Sequence, residues 1–144
     1  MAGKKKTDPA ALLLLMDQAV RHAKQQLVAA LQRSGLELTA DQWTLLRIVV
    51  ESDGIAQHVL ADQSGKDRPT VTRMLRLMAD RGWVVQEPAP GDRRSFLILP
   101  AKAGQQVWKA GQAVVKEQLR QTFPKSTGTL QKSTRKLCRE LLKK

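Results

Sequence analysis

The sequence DRPTVTRMLRLMADRGWVVQEPAPGDRRSFLILPAKAG, residues 67–104, decides the fold of this chain. Its first part predicts a helix because Asp67 is a suitable N-cap, Pro69 lies in the first turn, and Gly82 follows the last residue of the helical period. Apolar residues at i, i+4, i+7 and i+8 form one stripe along this helix. The opposite face is polar and basic, and it carries Thr70, Arg73 and Arg76.

The second part of the stretch predicts a β-hairpin. Residues 83–86 and 95–99 are short runs rich in β-branched and aromatic side chains, which favour strands. Prolines and a glycine separate the two runs. A basic helix fits the major groove of DNA, about 12 Å wide, and a thin hairpin can reach the minor groove beside it. The stretch therefore has the physical plan of a winged helix, whose wing tip holds Asp92, Arg93, Arg94 and Ser95.

This stretch and the residues before it resemble the MarR family of bacterial winged-helix transcription regulators. The resemblance covers roughly residues 38–104, almost without gaps. Each motif alone is weak, and the signal comes from their order and spacing on elements of the right type. The motifs are Leu38-Thr39, Trp43, Leu46, Gln57, Leu60-Ala61, Thr70-Val71-Thr72-Arg73, Leu77, Arg81-Gly82-Trp83-Val84, Asp92-Arg93-Arg94 and Gly104.

A few positions depart from the family pattern. Ser64 and Lys66 stand where the family usually has apolar turn residues, and Ala56 stands where a capping Thr or Ser is common. These residues predict a looser turn before the recognition helix and one phosphate contact fewer. After the wing, Pro100-Ala101 replaces the Leu-Thr that normally caps the next helix, which predicts a weaker cap.

The rest of the chain predicts helices on both sides of this stretch. A long first helix runs from the Asp8-Pro9 cap to Gly35, with apolar residues every three or four positions. A second begins at the capping box of Thr39 and Gln42, and a third covers Ile55 to Ser64. A fifth helix reaches Phe123 before Pro124 stops it, and a basic sixth helix carries Leu130, Leu137, Cys138 and Leu141 on one side.

We expect a mainly α fold with a small β-hairpin wing. A single domain over residues 8–144 follows a disordered basic tail over residues 1–7. Within it, residues 36–104 form the winged helix-turn-helix core. The amphipathic terminal helices, residues 8–35 and 105–144, are too long for this core to cover. They predict a homodimer, as the family resemblance also implies.

Composition supports a polyanionic partner and argues against several other classes of protein. Lys and Arg number 25 against 13 Asp and Glu, which gives a net charge of +12. A single cysteine and the lack of a secretory signal or membrane-spanning stretch predict a cytoplasmic protein with no membrane partner. His22 and His58 are isolated, so we expect no metal site and no cofactor. Since nucleophile–base pairs, paired carboxylates and phosphate-binding glycine loops are missing from the sequence, we do not expect an enzyme.

The sequence assigns each recognition-helix residue a role on double-stranded DNA. Arg73 suits a bidentate contact to guanine, and Thr70 and Thr72 suit base edges or thymine methyl groups. Arg68, which precedes Pro69, and Arg76 suit phosphate contacts that set register. A dimer would place two such helices on an inverted repeat with half-sites roughly 34 Å apart.

At the wing tip, we expect Arg94 to enter the minor groove, where narrow A·T tracts are favoured. Asp92 is expected to hold the other arginine, Arg93, in a charge-assisted pair.

The family resemblance implies a site for small aromatic or lipophilic acids between the core and the dimer helices. Trp43 and Arg47, one turn apart, are candidates to stack a ring and pair its carboxylate, although core packing is the favoured interpretation of Trp43. For Cys138, packing is favoured over redox sensing. The alternatives left open are a repressor with a ligand, a ligand-independent regulator and an architectural DNA-binding protein.

Overall fold

The computed structural model describes residues 8–123, 125 and 128–143. The predicted basic tail, residues 1–7, and the predicted helix stop at Pro124 lie outside the described residues. The fold is mostly helical with a small antiparallel sheet, as predicted. The elements in chain order are α1 Pro9–Arg33, α2 Ala40–Glu51, β1 Ile55–Ala56, α3 Gln57–Ser64, α4 Arg68–Asp80, β2 Val84–Ala89, β3 Asp92–Pro100, α5 Lys102–Thr122 and α6 Gly128–Leu141.

The starts of the first two helices follow the local sequence signals. The Asp8 carboxylate accepts a hydrogen bond from the Ala10 amide at 3.1 Å, which caps α1. At α2 the predicted capping box is present: the Gln42 amide donates to Thr39 Oγ1 at 3.0 Å, and the Thr39 amide donates to Gln42 Oε1 at 2.9 Å. The helix that brings Trp43 into the core is therefore fixed at its first turn.

The third helix is shorter than predicted. Ile55 and Ala56 were expected to be helical, but they form β1, which pairs antiparallel with Ile98 and Leu97 of β3. Burial of Ile55 and pairing with β3 satisfy this backbone better than another helical turn would. Ala56 then precedes α3 without a side-chain cap, as its residue type predicts.

The sheet has the strand order β1-β3-β2, and its hairpin is longer than predicted. Pairing continues from Val84 opposite Pro100 to Ala89 opposite Asp92, with an irregularity at Pro88 and Ala89. Pro88, which was expected in the turn, lies within β2 because this edge strand does not require every N–H for pairing.

The core lies between α2, α3, α4 and the sheet, with α1 and α5 across it. Leu45, Leu60, Met78 and Ile98 are fully buried there. The Trp83 side chain is also buried in the core, and its backbone lies close to α5, because a Cβ placed on Gly104 would lie 2.0 Å from the Trp83 carbonyl oxygen. Only glycine permits α5 to approach the start of the wing this closely.

The terminal helices leave apolar side chains uncovered. The second half of α1 packs on α5, where the Thr122 hydroxyl donates to Gln26 Oε1 at 3.1 Å. The first half of α1 exposes a leucine run, and none of the described residues of α6 is buried. Among the described helices, none combines the length and apolar character that a bilayer-spanning segment requires. The exposed apolar residues on these two helices are Leu13, Leu14, Leu15, Val20, Leu130, Leu137 and Leu141.

Candidate nucleic-acid interface

Helix α4, the predicted recognition helix, begins at a tightly bonded cap. The Asp67 carboxylate accepts the Thr70 amide at 3.0 Å and the Thr70 hydroxyl at 2.7 Å. The hydroxyl bond is the largest cause of a lowered Asp67 pKa, and the amide bond adds to it. Because its hydroxyl hydrogen is bonded to the cap, Thr70 has only its methyl group and lone pairs available to DNA.

The apolar stripe predicted for α4 is buried except at its last residue, Ala79, which is exposed. Val71, Leu75 and Met78 are buried against the core. Among the described residues, no arginine of α4 lies within 4 Å of a carboxylate in an ion pair. Thr70, which the sequence placed on the polar face, is half-buried. The exposed polar residues of α4 that were predicted to contact DNA are Arg68, Pro69, Thr72, Arg73 and Arg76.

Thr72 is held by a residue that was not predicted to belong to the site. Its hydroxyl donates to the Arg68 carbonyl oxygen at 2.9 Å and accepts a hydrogen bond from Gln57 Nε2. Gln57 begins α3, so this bond joins the two helices of the helix-turn-helix beside the exposed face. The family motif contained Gln57, but its bonding partner depends on how α3 and α4 cross, which the sequence pattern does not specify.

The wing tip differs from its predicted bonding. Asp92 Oδ1 accepts the Arg94 amide at 2.9 Å, and Oδ2 accepts the Ser95 hydroxyl at 2.7 Å. The predicted pair between this carboxylate and Arg93 was wrong, because nearby main-chain and hydroxyl donors occupy both oxygens. The Ser95 bond first, and then the Arg94 amide, lower the Asp92 pKa. Asp92 thus shapes the tip, and the side chains of Arg93 and Arg94 are exposed.

The turn before α4 is held more firmly than predicted. The Lys66 amide donates to the Ala61 carbonyl oxygen at 3.2 Å. Its Nζ lies 3.1 Å from Asp41 Oδ1, and its side chain is 19% exposed. The expectation of a loose turn was wrong because the Lys66 side chain reaches back to α2 instead of pointing into water.

The predicted ligand residues lie beside one groove, although one of them is not available as predicted. Trp43 is 4% exposed, and its ring stacks on Trp108 with centroids 4.5 Å apart, so a ligand cannot use that ring face. Arg47 Nε is paired with Glu51 at 3.0 Å. The groove has a volume of about 380 Å³ and adds Lys116 as a second cation. Core packing, the favoured interpretation of Trp43, is confirmed.

A sequence profile described as the MarR family matches residues 34–95. The homoprotocatechuate degradative operon repressor of Escherichia coli is 33% identical over 84 residues, which are 58% of this chain and 57% of the repressor. A mutant MarR from Escherichia coli, solved with operator DNA, is 25% identical with a TM-score of 0.82, and the match covers 92% of this chain and 94% of that one. The chain is therefore similar to MarR-family regulators, in sequence over residues 34–95 and in fold over most of its length.

The fold is also similar to that of CouR from Rhodococcus jostii RHA1, solved with p-coumaroyl-CoA. It is 21% identical with a TM-score of 0.79, and the match covers 90% of each chain. The MarR family profile ends inside the wing and begins after α1, so it includes the recognition helix but neither terminal helix. The fold as a whole, including these helices, is therefore supported by the structural matches.

The described residues contain no group of three or more His, Cys, Asp or Glu side chains arranged to hold a metal ion. The named relatives are regulators and repressors of transcription, which agrees with the expectation that this chain is not an enzyme.

Proposed function

We propose that this protein is a homodimeric, sequence-specific DNA-binding regulator of transcription that acts as a repressor at an inverted repeat. The observation that carries the proposal is the exposed arginine face of α4, which lies beside a wing whose tip exposes two further arginines. Bound phosphates would compete with few internal partners, because these arginines lie outside the ion pairs of the described residues. The match to the MarR family profile and the likeness to MarR on operator DNA support it.

The dimer would be formed by the terminal helices. The leucines exposed on the first half of α1 and along α6 form apolar surfaces that one chain leaves in water. Soluble proteins rarely leave such contiguous surfaces uncovered, and a second copy presents the same surfaces in return. Residues 8–35 and 105–144 would thus dimerise, and residues 36–104 would bind DNA.

Base reading would come mainly from Arg73, whose guanidinium can form two hydrogen bonds with guanine. Thr70 and Thr72 would contact thymine through their methyl groups, because both hydroxyl hydrogens are bonded within the protein. Arg68 and Arg76 would bind phosphates on either side.

The wing would add a second contact, in the minor groove. Arg94 would enter this groove from a backbone that Asp92 holds in place, with Ser95 completing the same turn. Arg93 would contact the adjacent phosphates.

An aromatic or lipophilic acid is the class of effector that the α2–α5 groove would accept. Arg47 and Lys116 supply positive charge at its edge, and Trp108 supplies an apolar wall. A bound carboxylate would compete with Glu51 for Arg47. Binding there would shift α2, in the DNA-binding part, against α5, in the dimer-forming part.

The test is an anisotropy titration against the protein's own upstream intergenic DNA, with scrambled competitor and with added aromatic acids. The proposal predicts at least about tenfold tighter binding to the specific DNA at physiological salt. Similar affinities for both DNAs would instead indicate an architectural protein. Specific binding that no aromatic acid weakens would support the regulator and exclude the proposed effector site.

A further inference from the structure

One carboxylate oxygen connects three separate parts of the molecule. Oδ1 of Asp41, at the start of α2, lies 2.8 Å from Nζ of Lys24 on α1 and 3.1 Å from Nζ of Lys66 in the turn before α4. Across the described ranges, the remaining ion pairs join residues three or four positions apart in sequence. The Asp41 cluster is therefore where charge joins elements that are distant in the chain.

The cluster is also better shielded from water than the other ion pairs. The Lys66 side chain is 19% exposed and that of Asp41 is 38% exposed. In the ion pairs between residues three or four positions apart, every side chain is at least 52% exposed. Partial burial acts to raise the Asp41 pKa, but hydrogen bonds and positive charge from Lys24 and Lys66 outweigh it and leave the pKa lowered. Asp41 stays ionised, and the cluster stays formed, at neutral pH.

The far end of α4 is tied to the same region of the chain. Arg81 follows the helix, and its guanidinium donates to the Glu37 carbonyl oxygen while lying 5.0 Å from the centroid of the Trp83 ring. Glu37 lies in the link between α1 and α2, and Asp41 lies in the first turn of α2. We call residues 37–41 the corner segment. Both ends of the recognition helix are thus bonded to the corner segment.

We propose that the corner segment, acting through Asp41, fixes the angle between α1 and α4. This inference rests on the proposed function, because it assumes that α1 forms the dimer and α4 reads DNA. Lys66 immediately precedes the Asp67 cap, so holding its side chain also holds the first turn of α4. In a dimer, this angle sets the distance between the two recognition helices, which has to match half-sites roughly 34 Å apart.

Asp41 is therefore a positioning residue, and its effect should appear in DNA spacing more than in folding. Partly exposed ion pairs contribute little to the stability of a fold. The isosteric change Asp41→Asn removes the charge that both lysines share while keeping the size of the side chain. It also raises the net charge by one, which on its own would strengthen binding to any DNA.

The experiment uses four duplexes: the palindrome that the wild-type protein selects from random DNA, its isolated half-site, and the palindrome with one base pair added to or removed from its centre. We expect Asp41→Asn to lose about 3- to 30-fold in affinity for the palindrome. It should keep its affinity for the half-site and discriminate less between the three spacings. Asp53→Asn is the matched control, because it makes the same change of charge at an exposed carboxylate that lies outside the ion pairs of the described residues.

Two further variants test whether the effect passes through the cluster. Asp41→Glu keeps the carboxylate and should restore spacing discrimination. Lys66→Met should reproduce the loss of spacing discrimination. Combining it with Asp41→Asn should cause little further change, because each substitution removes the same ion pair.

Wild-type spacing discrimination in Asp41→Asn, or equal losses on half-site and palindrome, would overturn the positioning role alone. Failure of the wild-type protein to select any palindrome would overturn the proposed function as well.

Discussion

The winged core and the terminal helices use the same kind of amphipathic sequence with opposite results. In the core, side chains such as Leu60 and Met78 on the apolar faces of α3 and α4 are fully buried within one chain. On α6, Leu137 and Leu141 repeat at helical spacing, yet the described part of that helix has no buried residue. A hydrophobic period therefore shows that a face needs cover, but not whether the same chain supplies it.

The largest effect should come from closing the glycine contact inside the core. In Gly104→Ala, the new methyl group would meet the Trp83 carbonyl oxygen at 2.0 Å, so the backbone has to move. We expect the free energy of unfolding to fall by about 3 kcal/mol or more, measured by urea denaturation. Gly128→Ala is the control, since nothing lies within 4 Å of its added methyl group. Equal stability of the two variants would show that the core is looser than it appears.

A charged residue introduced on α6 should affect the proposed dimer without affecting the winged core. Leu137→Asp places a carboxylate in the proposed dimer surface but touches nothing in the core. We expect dimer dissociation to become easier by about 2 kcal/mol, roughly thirtyfold, in sedimentation experiments. Unfolding of the core should change little. Lys132→Asp, on the other side of α6, should leave the dimer intact, and an intact dimer in Leu137→Asp would exclude this face as the interface.

Within the core, the proposed DNA face can be divided by two arginine variants. Arg73→Ala should cost about 1–3 kcal/mol of binding and relax the sequence preference, whereas Arg76→Ala should weaken binding to all DNA about equally. Titrations on operator and scrambled duplexes at several salt concentrations measure both effects. Uniform loss in both variants would mean that base reading lies elsewhere on α4.

Helix caps should give smaller effects in both directions. Thr39→Ala removes the capping box of α2 and should lower stability by about 1 kcal/mol. Ala101→Ser supplies the side-chain cap that α5 lacks and should raise stability by up to about 1 kcal/mol. Thermal unfolding of both variants beside the wild type tests the pair. A stabilised Thr39→Ala variant would contradict the bonding described for α2.

The smallest effect concerns the pH dependence of the Asp41 cluster. Because folding lowers the Asp41 pKa, its ionised form stabilises the fold above the pKa of the unfolded chain. This contribution disappears as the pH falls through the lower, folded pKa. Because the Asp41 side chain is partly exposed, we expect the free energy of unfolding of the wild type and of Asp41→Asn to differ by only about 0.5 kcal/mol at neutral pH. Denaturation from pH 7 down to 2 should show the difference narrowing, and a difference that grows in acid would contradict the lowered pKa.

Sequence reasoning succeeded where the interacting residues are close in the chain. The capping box of Thr39 and Gln42 and the bond from Asp67 to Thr70 each span three positions, so residue type and spacing specify them. The helical period likewise gave the exposed face of α4. Which bases and phosphates those side chains contact stays a prediction.

The predictions from sequence were wrong where the contacting residues are distant in the chain or where several hydrogen-bond donors lie near one acceptor. Ile55 looks like the start of a helix until β3 lies beside it, and Lys66 looks solvated until Asp41 lies within reach. The stack of Trp43 on Trp108 depends in the same way on how α2 meets α5. At Asp92 the sequence offered arginine side chains, a main-chain amide and a hydroxyl, and the nearest donors were bonded.

The Asp41 cluster bears on how this protein can be divided for exchange with its relatives. Asp41 and Lys66 lie within the winged core, but Lys24 lies in α1, outside the part that matches the family profile. A chimera that takes its core from this protein and its α1 from a relative would keep the pair between Asp41 and Lys66. It would replace Lys24 by the side chain that the relative has at that position. The natural unit of exchange is therefore the core together with the second half of α1, so that the graft includes all three charges.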